Sequence, residues 1–424
     1  MSASLVLYEG SGWRTLRPLS DALPVPGLAF GAGTLASRWH RSSRLPLLAI
    51  AGRPLAIGAW RDAPRPDAGA VELGEVVAVD ATALPGPWFD RVRDDSTAAL
   101  YRVAGAVIAA RVSARVLGPA LGGAVPLDEF LATLALPTRE VEAERIVYPW
   151  DLIARNASAI AADLDALPAS REGDVHPQAA LLAPERIAIL AGARIDPFAC
   201  LDAREGPIAI GRGARVLAGT VVSGPCAVGA GTQLLGGFIG RSSLGPECRI
   251  AGEVEECVWQ GYGNKRHHGF VGHSVFGEWV NLGALTTTSD LKNNYGSVRV
   301  RVDGREIDSG SPKVGSIVGA HVKTGIGTLL PTGAAIGVGS NLFAGGRFAP
   351  KDLPSFSWWD GERFEEHRLA SFLETAKVAM SRRNRRLEPA DETQLRQLFL
   401  ETASERERFR PPLPSAADRP AAAR

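Results

Sequence analysis

The chain has 424 residues, of which 45% are hydrophobic and 22% charged, a composition typical of a folded protein with room for two domains. Its 47 basic and 46 acidic side chains give a formal net charge of +1, so charge offers no reason to expect nucleic acid or a membrane as partner. The N-terminus lacks a basic segment followed by an apolar one, which favours a cytoplasmic protein. Four cysteines without a CxxC pair argue against a disulfide framework or a structural zinc site.

The first part of the chain contains no hexad repeat. The apolar runs LPLLAIAG and VVAVDATAL are typical of strands, and STAALYRVAGAVIAARVSARVL has the character of a helix. Together they predict an α/β domain of the nucleotidyltransferase-like kind over residues 1–170. Its boundary with the next domain is expected between Asp163 and Pro184.

A six-residue repeat dominates the second half. IGRGAR VLAGTV VSGPCA VGAGTQ LLGGFI and VGAHVK TGIGTL LPTGAA IGVGSN LFAGGR start each hexad with an aliphatic or aromatic residue, apart from the polar Thr324. A period of six with repeated glycine and proline does not match a helix. The repeated positions are Ile210, Val216, Val222, Val228, Leu234, Val318, Leu330, Ile336, Leu342 and Phe348, with Ile189, Ile195, Leu201, Leu244, Ile250, Phe276 and Leu282 in shorter stretches.

A small residue stands four positions after the hexad starts, as at Ala214, Thr220, Cys226, Thr232 and Cys248. Three hexads then form one triangular coil with both positions inside, and glycine lets the chain turn between strands. Stacked coils bury a continuous column through parallel ladders. We therefore predict a left-handed parallel β-helix over residues 171–354, with its cysteines as inward small residues.

The repeat is interrupted at about 254–274 and 288–316, and insertions in a solenoid collect on one face, often the binding face. Beyond Pro354, FLETAKVAMSRR and DETQLRQLFLETASERERF have helical patterning, which predicts a helical cap over residues 355–409 that packs on the end of the solenoid. The Pro-, Ala- and Arg-rich tail, 410–424, is expected to be disordered.

The segment GNKRHHGFVGHSVFGEWVNLGALTTTSDLKNNYG resembles the bacterial sugar nucleotidyltransferase family related to the bifunctional glucosamine-1-phosphate N-acetyltransferase/N-acetylglucosamine-1-phosphate uridylyltransferase. VRVDGREIDSGSPKVGSIVGAHVKTGIGTLLP is similar to the archaeal bifunctional sugar-1-phosphate nucleotidyltransferase/acetyltransferases. The resemblance covers most of residues 145–350. It implies a homotrimer with acetyltransferase sites between subunits, a histidine base and acetyl-CoA lying along the coils.

The resemblance also assigns roles to individual residues. Matching the family's K-x-H-x-x-F-[LV]-G-H-S pattern gives Lys265, His267 as the base, and Phe270, whereas the K-x-x-H spacing of the bifunctional enzymes selects His268 instead. We keep both histidines and prefer His267. The family pattern also gives Asn281 as a catalytic residue, Asp290 where the archaeal enzymes have asparagine, and Ala284, Lys323 and Thr324 as contacts for coenzyme A.

Acetyl transfer to an amine needs an unprotonated nitrogen, a base for its proton and donors for the developing oxyanion. Histidine suits the base role because its ordinary pKa of about 6.5 is close to working pH. The phosphates of coenzyme A and of an amino-sugar 1-phosphate need cations, which Lys265, Lys292 and Lys323 could supply. The expected activity is N-acetylation in the biosynthesis of a nucleotide sugar of the UDP-N-acetylglucosamine type.

RTLRPLSDALPVPG resembles the L-x-P-L-[ST] segment near the start of sugar nucleotidyltransferases, where a Gly-rich loop and a basic residue hold a triphosphate. The matching residues are Gly10, Arg14 and Ser20. Two arginines that the family has in its T-R-P and R-x-G-x-L-T segments are absent, although phosphoryl transfer depends on cations around the phosphates. The domain therefore either still transfers nucleotidyl groups from a nucleoside triphosphate with Mg²⁺, or is a degenerate sugar-nucleotide-binding or structural domain.

Two other functions compete with acetyl transfer. A non-catalytic scaffold can use the same β-helix. A metalloenzyme like the γ-class carbonic anhydrases is suggested by His268 and His273, but the third histidine would have to be His321 in a different geometry. No metal site is therefore predicted.

Overall fold

The computed structural model describes residues 3–67, 74–123, 125–165 and 170–409, so the predicted tail lies outside the described residues. An α/β domain comes first, a parallel β-helix of about ten turns spans residues 174–359, and a helical region follows. This order of parts confirms the predicted fold class. Within the described ranges, no helix is both long and apolar enough to cross a bilayer.

The N-terminal domain is built on a six-stranded sheet in the order β4-β1-β5-β7-β6-β8. Strand β1 pairs in parallel with β4 and β5, while β7 runs antiparallel to β5 and β6. Strands β2 and β3 form a separate hairpin. The bounds are β1 (Ser4–Tyr8), β2 (Ala29–Phe30), β3 (Gly33–Thr34), β4 (Leu47–Ala51), β5 (Glu75–Asp80), β6 (Ala99–Val103), β7 (Ala106–Ser113) and β8 (Thr138–Glu140).

Helices cover both faces of this sheet, because alternate residues of β1 and β5 are buried on opposite sides. On one side Trp39, Trp88 and Phe89 meet edge to face. The α-helices are α1 (Leu19–Ala22), α2 (Leu35–Ser43), α3 (Pro54–Ala59), α4 (Pro87–Asp94), α5 (Ala114–Leu117), α6 (Leu127–Ala132) and α7 (Pro149–Asp165), and short 3-10 helices lie at Ser11–Leu16, Val25–Gly27 and Gly118–Ala120.

The helix expected around residues 96–117 is wrong for most of its length, because this segment forms the β6–β7 hairpin. Its turn lies at Ala104 and Gly105, which both have positive φ. Paired strands at the centre of a sheet bury both of their faces, so the run is apolar without a period of two and contains the alanines that favour helices. Only α5, at the end of the segment, is helical.

The β-helix has three faces, which we call A, B and C in the order in which the chain visits them. Its strands are β9 (Asp174–Val175), β10 (Ala180–Leu182), β11 (Ile187–Ile189), β12 (Arg194–Ile195), β13 (Cys200–Asp202), β14 (Ile208–Ile210), β15 (Arg215–Val216), β16 (Thr220–Ser223), β17 (Cys226–Val228), β18 (Gln233–Gly240), β19 (Ser243–Leu244), β20 (Arg249–Glu255), β21 (Val258–Trp259), β22 (Asn264–Lys265), β23 (Phe270–Gly272), β24 (Val275–Phe276), β25 (Thr287–Thr288), β26 (Arg299–Val302), β27 (Arg305–Asp308), β28 (Ile317–Val318), β29 (Lys323–Thr324), β30 (Leu329–Leu330), β31 (Ala335–Ile336), β32 (Asn341–Leu342), β33 (Asp352–Leu353), β34 (Ser357–Trp359) and β35 (Phe364–Glu366), with a 3-10 helix at Pro184–Arg186.

Face A is one nine-stranded parallel sheet from β11 to β33. Face B contains β9, β12, β15, β22, β29, β32 and β34, and face C contains β10, β13, β16, β23, β25 and β30. The long strands β18 and β20 bend from face B into face C. Helix α7 packs on the outer side of face A against β17, β21 and β24 and covers that part of the face.

The inward positions agree with the predicted hexads. Ile210, Val216, Val222 and Leu234 have no exposed surface, and the small residues from Ala193 to Ser340 are buried beside them. Cys226 and Cys248 lie in this column as predicted, and burial raises the pKa of each thiol to about 12. One predicted inward residue, Phe348, is wrong: it is 64% exposed, and Ala349 is buried instead.

The expected interruption at about 254–274 is also wrong. Strands β21, β22 and β23 continue all three faces, and Trp259 and Lys265 take the inward positions that pair with Leu244 and Ile250. Neither residue type belongs to the hexad pattern, and this coil is shorter than three full hexads. The regular coil was therefore hidden in the sequence.

The second interruption is a true insertion, and it joins two domains. Strands β26 and β27 form an antiparallel hairpin between β25 and β28. Val298, Val300 and Val302 are buried in the same apolar cluster as the core of the N-terminal domain. This hairpin therefore fastens the N-terminal domain to the β-helix instead of opening a binding surface.

The C-terminal helices α8 (Leu369–Ser381), α9 (Pro389–Glu401) and α10 (Ala403–Glu407) pack along the side of the last coils as well as on the N-terminal helices α1 and α3. They cover the corner between faces A and B. In the earlier coils this corner is a glycine with positive φ, as at Gly213. In the later coils it is Glu247, Tyr262, Trp279, His321, Gly339 and Phe356 in turn, all in the same left-handed conformation, so one glycine stands among the aromatic residues.

These corner side chains stack on one another. The rings of Tyr262 and Trp279 are 4.2 Å apart and nearly parallel, and His321 continues the stack at 6.2 Å from Trp279. Phe372 of α8 meets both His321 and Phe356 edge to face. The stack is the surface on which the C-terminal helices dock.

Candidate functional site

Face B brings most of the predicted site residues together. Asn264, Asn281 and Lys323 are bridged to one another in three successive coils. Each is followed by an inward residue and then by the corner between faces B and C, where the next predicted residues stand. The β-helix candidates on or next to this surface are Lys265, His267, His268, Asn281, Ala284, Lys323 and Thr324.

The outer surface of face B forms one wall of a cavity that is partly open to solvent, and helix α8 forms the other; the space between them, open solvent included, is about 830 Å³. Asn264, Asn281 and Lys323 line the first wall. Arg382 and Arg383, at the end of α8, line the second. The side-chain amide of Asn264 donates to Oδ1 of Asn281 over 2.8 Å, which fixes the orientation of the Asn281 amide.

The charges around this cavity are predominantly positive. The Lys323 ammonium donates to the carbonyl oxygens of Trp279 and His321 at 3.2 and 3.3 Å, and burial lowers its pKa to about 8. Burial also lowers the pKa of Arg383, whose Nε donates to the carbonyl oxygen of Glu247. Cations that line a concave surface beside fixed amides can bind phosphate groups.

Lys265 occupies an inward position and is only 1% exposed. Its Nζ donates to the carbonyl oxygens of Ala251 at 2.8 Å and of His267 at 3.0 Å. Burial lowers its pKa to about 8. The geometry therefore gives Lys265 a role in holding the loop 266–269 from inside, and its ammonium does not reach the outer surface where a substrate would bind.

His267 and His268 are both exposed at the corner between faces B and C. The next coil places Ala284 and Leu285 beside them, because the Leu285 amide donates to the His268 carbonyl. Leu285 is 58% exposed, and Ile326 in the following coil is 71% exposed. The two histidines therefore lie side by side at the edge of an apolar strip.

Thr324 is buried inside the coil, where its Oγ1 lies 2.7 Å from Oγ1 of Thr286 and accepts from the Gly283 amide. It thereby fixes the backbone of the coil that carries Ala284. The side chain itself lies inside the coil, away from the outer surface of face B.

Phe270 and Asp290 lie together on face C instead of face B. A Cβ added to Gly272 would be 2.4 Å from the Phe270 ring and 2.6 Å from the Asp290 carboxylate, so both side chains cover this glycine. Asp290 Oδ2 is 2.7 Å from Nδ1 of His273. Burial raises the pKa of Asp290, but the hydrogen bond and charge of His273 outweigh it and leave the pKa lowered.

Lys292 stands apart from the other candidates. Its Nζ donates to the Ser297 carbonyl at 2.6 Å at the base of the insertion, beside an open depression next to Phe348. Asn264, Arg382 and Arg383 were not among the predicted site residues, and His273 was named only for the metalloenzyme hypothesis. A signal existed for Asn264, since it is 17 residues before Asn281, at the equivalent position of the preceding coil, but nothing in the sequence links α8 to face B.

In the N-terminal domain, Gly10 follows β1 at the carboxyl edge of the sheet. Strand β1 has β4 on one side and β5 on the other. Open parallel sheets bind ligands at such a position. A Cβ on Gly10 would be 2.9 Å from the Asp80 carboxylate and 3.1 Å from Asp128. Arg145 lies 3.6 Å from Asp80. Two carboxylates and one guanidinium thus surround the position that the sequence assigned to a nucleotide.

The other two predicted nucleotide contacts differ from Gly10. Arg14 is exposed, and its guanidinium lies over the Trp13 ring. The guanidinium carbon of Arg53 also lies over this ring, 3.8 Å from its centroid. Ser20 is fully buried and its hydroxyl donates to the Trp13 carbonyl at 2.7 Å. Arg14 is therefore free to meet an anion, whereas Ser20 holds the loop that carries Trp13.

The histidines of the metalloenzyme hypothesis are dispersed. His268, His273 and His321 lie at three different corners of the β-helix, after β22, β23 and β28 respectively. Among residues 3–67, 74–123, 125–165 and 170–409 there is no group of three or more His, Cys, Asp or Glu placed to hold a metal ion. The geometry gives the carbonic-anhydrase-like hypothesis no support.

Sequence comparisons give relatives for parts of the chain. A family model described as sugar nucleotidyl transferase matches residues 5–172. The bifunctional sugar-1-phosphate nucleotidylyltransferase/acetyltransferase of Sulfurisphaera tokodaii is 38% identical over 93 residues, which are 22% of this chain and 23% of that protein. The bifunctional protein GlmU of Methanocaldococcus jannaschii is 37% identical over 79 residues, 19% of each chain. The aligned stretches thus span less than a quarter of either relative.

Among solved structures, the Arabidopsis UDP-N-acetylglucosamine acyltransferase is 13% identical, with a TM-score of 0.21, and covers 51% of this chain and 79% of its own. The enzyme of the same name from Campylobacter jejuni is 14% identical with a TM-score of 0.16, covering 55% and 95%. The sequence matches confirm the resemblance seen in the motifs: residues 5–172 match the sugar nucleotidyl transferase family, within a chain related to bifunctional sugar-1-phosphate nucleotidylyltransferase/acetyltransferases.

Proposed function

We propose that this protein is an N-acetyltransferase that moves the acetyl group of acetyl-CoA to the amine of an amino-sugar 1-phosphate, in the biosynthesis of a nucleotide sugar. The observation that supports it most is the cavity between face B and α8. It combines a fixed amide, Asn281, with the cations Lys323, Arg382 and Arg383. The similarity to bifunctional nucleotidylyltransferase/acetyltransferases supports the same activity.

Acetyl-CoA fits the chemistry of this cavity because its phosphates can bind Arg382, Arg383 and Lys323. The pantetheine arm would then follow the groove on face B towards Ala284. This path brings the thioester to the corner where His267 and His268 stand. Asn281 and backbone amides of this groove would donate to the thioester carbonyl oxygen as it becomes an oxyanion.

In the reaction, the amine nitrogen forms a bond to the acetyl carbon while the carbon–sulfur bond breaks and coenzyme A leaves as the thiolate. His267 accepts the proton that the nitrogen loses. A direct transfer is favoured because Cys226, Cys248 and Cys257 are buried and burial raises each thiol pKa to about 12. The fourth cysteine, Cys200, is on β13 and does not line the face B cavity. We expect the acceptor site to be completed by a neighbouring subunit of a homotrimer.

The test measures release of the coenzyme A thiol with glucosamine-1-phosphate or galactosamine-1-phosphate as acceptor. We expect His267→Ala to lower kcat by about 10² to 10⁴, the usual contribution of general base catalysis. His268→Ala should reduce the rate less. The matched control is His176→Ala, an exposed histidine in the first coil, which should leave the rate unchanged.

If His268→Ala abolishes the reaction and His267→Ala does not, the base is His268. If the wild-type protein neither acetylates these sugars nor binds acetyl-CoA, the acetyltransferase proposal fails and a non-catalytic scaffold is the better hypothesis.

Nucleotidyl transfer is a second candidate, favoured by the match over residues 5–172 and by the position of Gly10 beside Asp80 and Asp128. Asp80 and Asp128 at this edge would hold Mg²⁺, which would supply positive charge to neutralise the phosphates of a nucleoside triphosphate. Release of pyrophosphate from UTP or dTTP with N-acetylglucosamine-1-phosphate and Mg²⁺ tests it. No pyrophosphate from any nucleotide, together with stabilisation by a nucleotide sugar, would indicate a degenerate binding domain.

A further inference from the structure

A second cavity, partly open to solvent and about 660 Å³ when that open space is included, lies where the three parts of the protein meet. Trp60 and Asp62 of the N-terminal domain, the A–B corner of the β-helix and the C-terminal helices line it. It is separate from the face B groove described above, although Tyr262 and Trp279 contribute to both walls. Neither the predicted acetyl transfer nor the predicted nucleotidyl transfer uses it.

Two polar groups in this cavity have no partner in the described chain. His321 is 7% exposed, and its Nδ1 is buried without a hydrogen bond among the described residues. Glu278, which directly precedes Trp279, is partly exposed to solvent and forms no ion pair within the described residues. Leaving buried polar groups unsatisfied is costly, and such groups in a cavity are commonly completed by a ligand.

The charges facing Glu278 define what could bind. Asp62 and Asp391 add negative charge from the N-terminal domain and from α9, while Arg61 and Arg385 add positive charge. Arg61 is already bound to Asp391 and to the Arg386 carbonyl. Arg385 lies over the Tyr262 ring at 5.6 Å. Glu278 and the exposed Asp62 therefore form no ion pair among the described residues, while Arg61 and Arg385 offset part of the negative charge around Glu278.

His321 is neutral, because burial and the nearby Lys323 lower its pKa to about 3. A neutral imidazole adds no positive charge that would repel a cation, and one of its nitrogens can accept a hydrogen bond. The remaining walls are apolar or aromatic, with Met380 and Leu387 opposite the Tyr262–Trp279 pair. Aromatic walls and carboxylates together are suited to an ammonium group carried on an apolar body.

From this geometry we infer that the junction cavity binds a small organic amine, whose ammonium group pairs with Glu278 and whose apolar part contacts Trp279 and Leu387. A divalent metal ion is disfavoured because no group of three or more ligating side chains forms in the described residues. Because the occupant touches all three parts of the chain, it would stabilise them as a unit.

The experiment uses the full-length protein with benzylamine as the probe, and benzyl alcohol and benzoate as neutral and anionic matches of the same size. Thermal unfolding and isothermal calorimetry measure binding. We expect benzylamine to raise the unfolding midpoint and the two matched compounds to leave it unchanged.

Glu278→Gln keeps the size of the side chain and should weaken benzylamine binding about tenfold, as expected for loss of one charge-assisted hydrogen bond. Glu365→Gln, an exposed control on β35, should bind as the wild type does.

The pH dependence gives an independent readout. Burial and the nearby Asp62 and Asp391 raise the pKa of Glu278 to about 7, whereas Arg61 and Arg385 act in the opposite direction. The carboxylate form binds the cation, so affinity for benzylamine should increase between pH 6 and pH 8 in the wild type and should not change with pH in Glu278→Gln.

Leu387→Trp places a larger side chain in the apolar part of the cavity and should abolish binding while Glu278 stays intact. Equal binding of benzyl alcohol, unchanged binding in Glu278→Gln, or no binding of benzylamine at all would overturn the inference.

Discussion

At the scale of single residues, Lys265 shows how the β-helix departs from its own repeat. Every other described inward residue of face B from Ile195 to Leu342 is aliphatic or threonine, whereas Lys265 places an ammonium in the core. Its two carbonyl partners are one coil apart from each other in sequence, at Ala251 and His267. A buried ammonium that is hydrogen-bonded on both sides fixes the loop 266–269 that carries the candidate base.

The buried ammonium predicts a specific dependence of stability on pH. Because the folded-state pKa of Lys265 is about 8 and the unfolded value is 10.5, its cost to folding is fully present below pH 8 and is relieved as pH rises towards 10.5. The wild type should therefore gain up to about 3 kcal/mol relative to Lys265→Met over this interval. Urea unfolding of both proteins at pH 7.5 and pH 10 measures it.

Lys313→Met, which removes an exposed lysine, serves as the control and should show no such change. Parallel pH profiles for wild type and Lys265→Met would mean that the ammonium is solvated in the folded protein.

The residue scale also shows what the motifs could predict. Through the resemblance to the family, they selected Asn281, Ala284 and Lys323, which lie on or next to one groove. The roles of Lys265 and Thr324 could not be predicted, because a side chain on a strand points inward or outward according to its register, and a shift of one residue exchanges the two. Asp290 pairs with His273 from the equivalent position one coil later, 17 residues further along the chain, where the hexad pattern is interrupted.

At the scale of elements, the corner between faces A and B changes character along the β-helix. A left-handed backbone costs about 1 kcal/mol for a residue with a side chain, and glycine avoids this cost. Trp279 and its neighbours accept it where the C-terminal helices dock, since their stacked rings provide the docking surface. The residues that bear the backbone strain are therefore the same residues on which the C-terminal helices pack.

This combination predicts an unusual order of stabilities. Trp279→Ala and Trp279→Gly both remove the ring and should each destabilise the protein by about 3 kcal/mol or more. Glycine should be the less damaging of the two, by about 1 kcal/mol, because it relieves the strain at φ 63°. Thermal unfolding gives the ranking, and proteolysis of α8 and α9 shows whether the helices detach.

Trp358→Ala and Trp358→Gly, at a strand position outside the corner, provide the comparison, and here alanine should be the more stable. The same order at both positions would show that the corner conformation carries no strain.

Elements differ in how far sequence predicts them. The regular coils were predicted correctly because the hexads state their inward residues directly. The β6–β7 hairpin was predicted as a helix, and the coil at residues 254–274 as an interruption, because burial on both faces of a strand or an unusual inward residue hides the period on which such predictions depend. The docking of α8 depends on long-range packing alone.

At the scale of the whole molecule, one side chain joins three distant segments. Arg17 contacts Asp21 at 2.7 Å, Asp303 in the β26–β27 turn at 3.0 Å and Glu405 in α10 at 2.8 Å. Asp21 is 3% exposed, so burial raises its pKa while Arg17 lowers it. The guanidinium thus neutralises a buried carboxylate and connects the N-terminal domain to both later parts of the chain.

Removing this arginine should be strongly destabilising. We expect Arg17→Met to cost about 3 to 5 kcal/mol, because Asp21 is left buried without its partner. Chemical unfolding measures the loss, and adding Asp21→Asn to the variant should recover a large part of it. A cost below about 1 kcal/mol for Arg17→Met would indicate that the pair behaves as an exposed one.

The change from glycine to aromatic residues at the A–B corner has a further consequence for how the solenoid can vary in length. No helix of the described residues packs on that corner in the coils near Gly213. Adding or deleting a coil there would change the distance between the two ends of the β-helix without removing a docking partner of the C-terminal helices. The coils that contain Tyr262, Trp279 and His321 are not interchangeable in this way, because each presents a different ring to α8 and its neighbours. Modularity, the usual property of a repeat protein, is therefore confined to the first coils of this one.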